Sequence, residues 1–251
     1  LYPPQAHHLH VARYGQDPGV VCLSYRAMCL LLLGSPEQAQ QQSEAALTLA
    51  REQGHPYTLA LAYYYASILH QFLRNPQRTH ELATAMIALS QAQGFAYCLA
   101  TGTFLQGWAL TTHGQVKEGL QHMHDGVSAY KTTGSAIAQP YFHTLLAEVY
   151  GKIGQRKKGL QCVDEAFAAV HDPAHYIYAP ELYRIRGELL QSKRHSLRTR
   201  KDSAESCFQQ ALAIARKQGT KFFELRTLLS QSQGPHRSEQ QHQILRELAV
   251  V

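Results

Sequence analysis

Long apolar runs are missing from this sequence. No stretch of eighteen apolar residues occurs in its 251 residues, so no membrane-spanning helix is expected. Alternating Val/Ile/Thr runs are missing too, and no β-strand is predicted; the nearest thing, Val20-Val21, sits inside helical pattern. Cysteine is sparse. Cys22, Cys29, Cys98, Cys162 and Cys207 are scattered, odd in number and without a C-x-x-C pair. That argues against a disulfide framework and for small buried hydrophobes in a chain of the reducing cytoplasm. Charged residues are 17% against 45% hydrophobic, a globular balance and not a disordered one.

Catalytic signatures are equally absent. Gly154-Gln155-Arg156-Lys157-Lys158-Gly159 has the glycine spacing of a phosphate-binding loop, but Leu160 stands where the lysine belongs, and the segment falls between helices. There is no H-E-x-x-H, no G-x-S-x-G and no paired-aspartate cyclase motif. This segment is therefore expected to be no enzyme and to hold no cofactor. The 15 histidines raise the question of a metal. His7, His8 and His10 cluster in a stretch with no clear structure, and His122 and His124 are two apart on a predicted helix, pointing to different sides. No metal site is expected in this chain. The chain begins at Leu1, with no charged-then-apolar leader, and is read as a piece of a longer protein.

Charge is uneven. Residues 1–150 hold 7 Lys/Arg against 8 Asp/Glu, a net −1; residues 151–251 hold 17 against 10, a net +7. Such asymmetry marks either a solvated face or an acidic partner. The sharpest run is Lys193-Arg194-His195-Ser196-Leu197-Arg198-Thr199-Arg200-Lys201, with five Lys/Arg in nine residues and no acid. It reads as a solvated loop or as a contact for nucleic acid or for an acidic domain; no aromatic residue interleaves it, which weakens the nucleic-acid case.

The sequence repeats itself. Gly34-Ser35-Pro36, Arg74-Asn75-Pro76, Gly114-Gln115-Val116 and Gly154-Gln155-Arg156 fall in register at steps of forty residues. Ala27, Ser67, Gly107, Ala147 and Gly187 form a second column, Ala46, Met86, Gly126 and Ala166 a third, and Gly54, Gly94 and Gly134 a fourth. A fifth copy follows after a short insertion within residues 192–201: Ala204, Ala211, Leu212 and Gly219 match Ala39, Ala46, Leu47 and Gly54. The small-residue columns mark helix crossings, and the Gly34 and Gly54 columns mark helix ends, where glycine accepts the left-handed conformation. Proline after the first of these suits a helix start. Two helices per repeat are predicted, the first near 18–33, 57–73, 97–113, 137–153 and 177–192, the second near 36–53, 76–92, 116–132, 156–170 and 201–217. The organisation expected is a lead-in over 1–17, five repeats over 18–55, 56–95, 96–135, 136–175 and 176–219, and a degraded sixth pair or cap over 220–251. The fold class is all-α, a right-handed solenoid of antiparallel helix pairs.

Ala27, Gly34, Ala39 and Ala46 stand as a small residue, a turn glycine and two alanines stand in the tetratricopeptide repeat, and the pattern over about 18–219 resembles that family with a longer period. A narrower resemblance rests on Gly107-Trp108-Ala109-Leu110, Ala147-Glu148-Val149-Tyr150, Glu181-Leu182-Tyr183-Arg184 and the run Cys207–Arg216. Together they look like the C-terminal helical array of large bacterial predicted ATPases, which often carry an adenylate/guanylate cyclase or winged-helix domain ahead of an NTPase module. The match departs after Leu229. The resemblance implies a sensor or regulatory arm in signal transduction. It also implies that first helices line a concave groove, placing Tyr64, Phe104, Trp108, Tyr141, Glu148, Lys152, Arg184 and Glu188 there. A protein or peptide in that groove, or the attached NTPase domain, is the expected partner; the alternative for Tyr64, Phe104 and Trp108 is plain core between helices. A nucleic-acid-binding helical repeat using Lys193, Arg194, Arg198, Arg200 and Lys201 is the second functional reading, and no membrane role is expected.

Overall fold

The computed structural model describes residues 7–170, 176–191 and 203–232. Among these residues the fold is all-α, with twelve helices and no strand. They are α1 (His7–Tyr14), α2 (Pro18–Leu32), α3 (Pro36–Gln53), α4 (Pro56–Phe72), α5 (Pro76–Gln93), α6 (Ala96–Thr112), α7 (Val116–Thr132), α8 (Gln139–Lys152), α9 (Arg156–Ala168), α10 (Ala179–Gln191), α11 (Ala204–Gln218) and α12 (Lys221–Ser232). Among the described residues no helix is long and apolar enough to cross a membrane.

The breakers act where the sequence placed them. Pro36, Pro56 and Pro76 open α3, α4 and α5, at positions whose N–H has no partner within a helix anyway. Asn75 caps α5 by accepting from the Arg78 N–H at 3.0 Å, and Ser203 caps α11 by accepting from the Ser206 N–H at 3.1 Å. Gly54, Gly94 and Gly219 close α3, α5 and α11 in the left-handed region, at φ of 66°, 74° and 70°. Arg74 occupies a column otherwise held by glycine and still adopts φ 58°. That conformation costs an L-residue about 1 kcal/mol. The guanidinium, 5.9 Å from the Trp108 ring centroid, recovers part of it through a cation–π contact of about 0.5–1 kcal/mol.

The chain divides into two compact units: Leu1–Leu31 with Ser35–Ala136, and Leu32–Gly34 with Ile137–Val251. In the first, α3 to α6 each pack on the next helix, and α4 also touches α6. The α6–α7 pair meets backbone to backbone: a Cβ added to Gly107 would stand 2.6 Å from the Gly119 carbonyl oxygen, and one on Gly126 2.7 Å from the Phe104 nitrogen. Both glycines lie in the columns read as crossing points. Met86, Phe104, Leu105, Trp108, Met123 and Tyr130 fill this core. In the second unit α8 packs on α9, α10 on α11 and α11 on α12, while α10 also touches α8, α9 and α12. Gly187 leaves room for the Phe208 ring, 2.6 Å from where a Cβ would stand.

Two local features depart from expectation. The lead-in, read as structureless around its histidines, holds α1. Asp17, between α1 and α2, is fully buried: its carboxylate accepts from the Val20 N–H at 2.9 Å, capping α2, and its N–H donates to Thr58 Oγ1 at 3.0 Å on α4. The single helix α12 covers the predicted segment 222–230; the proposed second helix of that pair, near 239–250, lies outside the described residues.

Candidate functional site

Charge collects where α10 touches α8 and α12. Glu181, Arg184 and Glu188 are spaced three and four residues apart, which puts them on one helix face. The Arg184 guanidinium grips Glu181 at two points, Nε to Oε2 at 2.8 Å and Nη2 to Oε1 at 2.6 Å. Its Nη1 donates to Ser230 Oγ on α12 at 2.9 Å and to Glu188 Oε1. Arg226, also on α12, places Nη2 2.8 Å from Glu181 Oε1, and Ser230 donates to Glu188 at 2.6 Å. Arg184 is only 4% exposed. Burial alone would lower its pKa, but the charges of Glu181, Glu188 and Glu148 outweigh burial and hold it above the ordinary arginine value. This is a charge network tying three helices together, with bidentate geometry at its centre.

Beside the network opens a cleft of about 520 Å³ within the second unit. Glu148 and Lys152 of α8 form one wall, joined by an ion pair of 2.7 Å, with the Lys152 side chain 60% exposed. Glu188, Gln191 and Ser230 line the other side, Arg156 adds a second cation, and Ile185 and Leu189 supply apolar floor. The cleft thus offers donors, acceptors and both signs of charge around an apolar base.

The structure does not treat the eight expected groove residues alike. Glu148, Lys152 and Glu188 line the cleft, and Arg184 lies buried in the network that touches it. Tyr141, on the same helix as Glu148, is buried against the Tyr178 ring at 5.8 Å. In the first unit the aromatic floor is corrected: Phe104 and Trp108 are 0% and 1% exposed and belong to the core between helices, where small neighbours such as Gly126 admit them. Tyr64 is half-buried and joins a run of edge and tilted ring contacts, Tyr25–Tyr65 at 5.1 Å, Tyr65–Tyr64 at 5.0 Å, Tyr64–Tyr97 at 5.8 Å and Tyr97–Tyr130 at 5.5 Å. Sequence reasoning missed this run, although Tyr25 and Tyr65 stand forty residues apart in one column. The basic segment Lys193, Arg194, Arg198, Arg200 and Lys201 lies outside the described residues.

Two buried thiols, Cys98 and Cys162, are held in the protonated form. Burial pushes Cys98 up to about 12; burial and then the charge of Glu165 push Cys162 up to about 11. No protein-family model matches this chain, and no curated protein sequence matches it closely enough to count as a relative.

Proposed function

We propose that this chain is a non-catalytic interaction module of tetratricopeptide-like helical repeats, the regulatory arm of a larger signalling protein. It takes an extended peptide segment in the cleft of α8, α10 and α12. The observation that carries the reading is the cleft itself: Lys152, exposed at its rim, Arg156, Glu148 and Glu188 present paired charges over an apolar floor, anchored on a network that fixes α10 and α12. Regular helix pairs separated by breakers at a constant step support the repeat assignment. Attachment to an NTPase or cyclase domain rests on the sequence resemblance alone, and the coding sequence upstream of Leu1 tests it.

An arrayed library of soluble peptides of mixed charge tests the binding claim. The strongest binder is titrated against the unaltered chain, Lys152→Glu and Arg156→Glu. Each reversal, made at the rim, is expected to weaken binding by about tenfold, or ~1.4 kcal/mol. A binder indifferent to both reversals places the site elsewhere, and a library without binders removes the peptide reading.

A further inference from the structure

The α8–α9 pair carries a second cluster that the cleft does not use. His143 of α8, with Cys162 and Glu165 of α9, brings a ring nitrogen, a thiol sulfur and a carboxylate oxygen within 4.8 Å of one another. His143 Nδ1 lies 3.1 Å from Glu165 Oε2, and Gln161 Nε2 donates to the other Glu165 oxygen at 3.0 Å. Cys162 and Glu165 are three residues apart, hence neighbours on one helix face, and His143 comes from the helix opposite. One turn away Gly159 holds the helices close, its added Cβ only 3.1 Å from the Ala147 carbonyl oxygen. Cys162 is buried, the His143 side chain is 12% exposed and Glu165 is 45% exposed, so the cluster is shut on the core side and open to water at the carboxylate.

The repeat does not by itself demand these residues. The positions forty earlier hold Thr103, His122 and Asp125; those eighty earlier hold Tyr63, Leu82 and Ala85. The three donor types come together on the fourth helix pair of the repeat, each from a different side-chain chemistry.

We propose that His143, Cys162 and Glu165 bind a borderline-soft divalent transition-metal ion, Zn²⁺ foremost, with water as the fourth ligand. One thiolate and one imidazole select such an ion over Mg²⁺ or Ca²⁺, which take oxygen ligands. Metal–ligand bonds of 2.0–2.3 Å set tetrahedral ligand atoms about 3.4–3.7 Å apart. From the present separations that takes side-chain rotations on the order of 1 Å, without moving either helix. The bound ion ties α8 to α9 and stabilises the folded chain by mass action. The competing account is an ordinary His–Glu ion pair beside a core thiol, and it predicts no metal affinity.

Co²⁺ is the probe, because its spectrum reports both the sulfur ligand and the geometry. The full chain, with the exposed Cys22 and Cys29 changed to Ser, is titrated with Co²⁺ in the presence of a phosphine reductant. One equivalent is expected to raise a thiolate-to-cobalt charge-transfer band and the intense visible bands of a tetrahedral ion; Zn²⁺ removes both and raises the melting temperature. Cys162→Ser abolishes the charge-transfer band. His143→Ala and Glu165→Gln each weaken Co²⁺ binding on the order of tenfold or more, with far-ultraviolet circular dichroism confirming that the helices persist. No charge-transfer band at saturating Co²⁺, or one that survives Cys162→Ser, overturns the site. Should Cys162→Ser not fold, an unchanged Co²⁺ affinity in His143→Ala overturns it equally.

Discussion

At position 184 an arginine sits almost fully buried, yet its guanidinium meets Glu181, Glu188 and Ser230. Desolvating a charge costs several kcal/mol, and bidentate geometry is what offsets it here. Arg184→Met takes the bidentate cation from Glu181 and one partner from Glu188, so the second unit is expected to lose about 3 kcal/mol in urea unfolding. Substituting an exposed charge such as Lys152 with Met costs less than about 1 kcal/mol in the same measurement. His70 is the opposite case. It is buried near the end of α4 with Nδ1 lacking a hydrogen-bond partner among the described residues, and burial lowers its pKa from 6.5; Arg78 lowers it further, while Glu44 and Glu81 pull it up. The fold therefore favours neutral His70. Below pH 6.5 the unfolded chain takes up the proton first, so this contribution to stability is present at neutral pH and falls as pH drops toward the folded value. His70→Leu is expected to keep or raise the melting temperature at pH 7.5 and to flatten its decline toward pH 5; an unchanged decline means the acid sensitivity lies elsewhere. Neither role was visible in the linear sequence. An arginine or histidine on a predicted helix declares its charge, but its burial depends on which helix covers it.

Helix pairs are where sequence and structure agree best, and the reason is physical. A breaker acts locally: proline fixes φ and glycine accepts the left-handed turn, whatever lies around them. Small-residue columns are legible for a related reason, since a missing side chain in mid-helix has to be offset by something close. Gly107 makes the case measurable. An exposed mid-helix Gly→Ala change gains about 1 kcal/mol of helix propensity. At Gly107 the new methyl would meet Gly119 O at 2.6 Å and Met123 N at 2.7 Å, both backbone atoms that cannot rotate away. Gly107→Ala is therefore expected to destabilise by about 2–3 kcal/mol, and a gain in chemical denaturation removes the crossing-point reading. The groove was less legible because it needed a register. Phe104 and Trp108 do share a face, as their spacing requires, but that face meets neighbouring helices rather than solvent. Glu148, Lys152 and Glu188 line the cleft of the second unit, Glu148 from a buried position and Lys152 from an exposed one. The His143, Cys162 and Glu165 cluster draws on two helices: Cys162 and Glu165 stand at helical spacing, but His143 lies nineteen and more residues away, and spacing alone does not join it to them.

Between the described helices, most contacts join neighbours in the sequence. Each described helix from α4 onward within a unit packs on its immediate neighbours or on the helix one further along. Cores of this kind are completed stepwise, so stability is approximately a sum of helix-pair terms and neighbour interfaces. In the first unit α3 to α7 form such a series. Met86, Phe104, Leu105, Trp108, Met123 and Tyr130 are fully buried, Asp17 links the start of α2 to α4, and Tyr130 on α7 hydrogen-bonds Ser135 at 2.7 Å as the unit ends. A fragment of residues 1–136 is therefore expected to be helical and to melt cooperatively, the near-ultraviolet signal of Trp108 lost together with the far-ultraviolet helical signal. Trp108 is the single tryptophan of the sequence and is buried, which makes it a clean reporter for this unit. Coincidence of the two transitions is the test of cooperativity. Far-ultraviolet ellipticity that declines gradually, with no near-ultraviolet band to lose, means the core among α4 to α7 does not sustain itself and that the nearest-neighbour account of this fold is wrong.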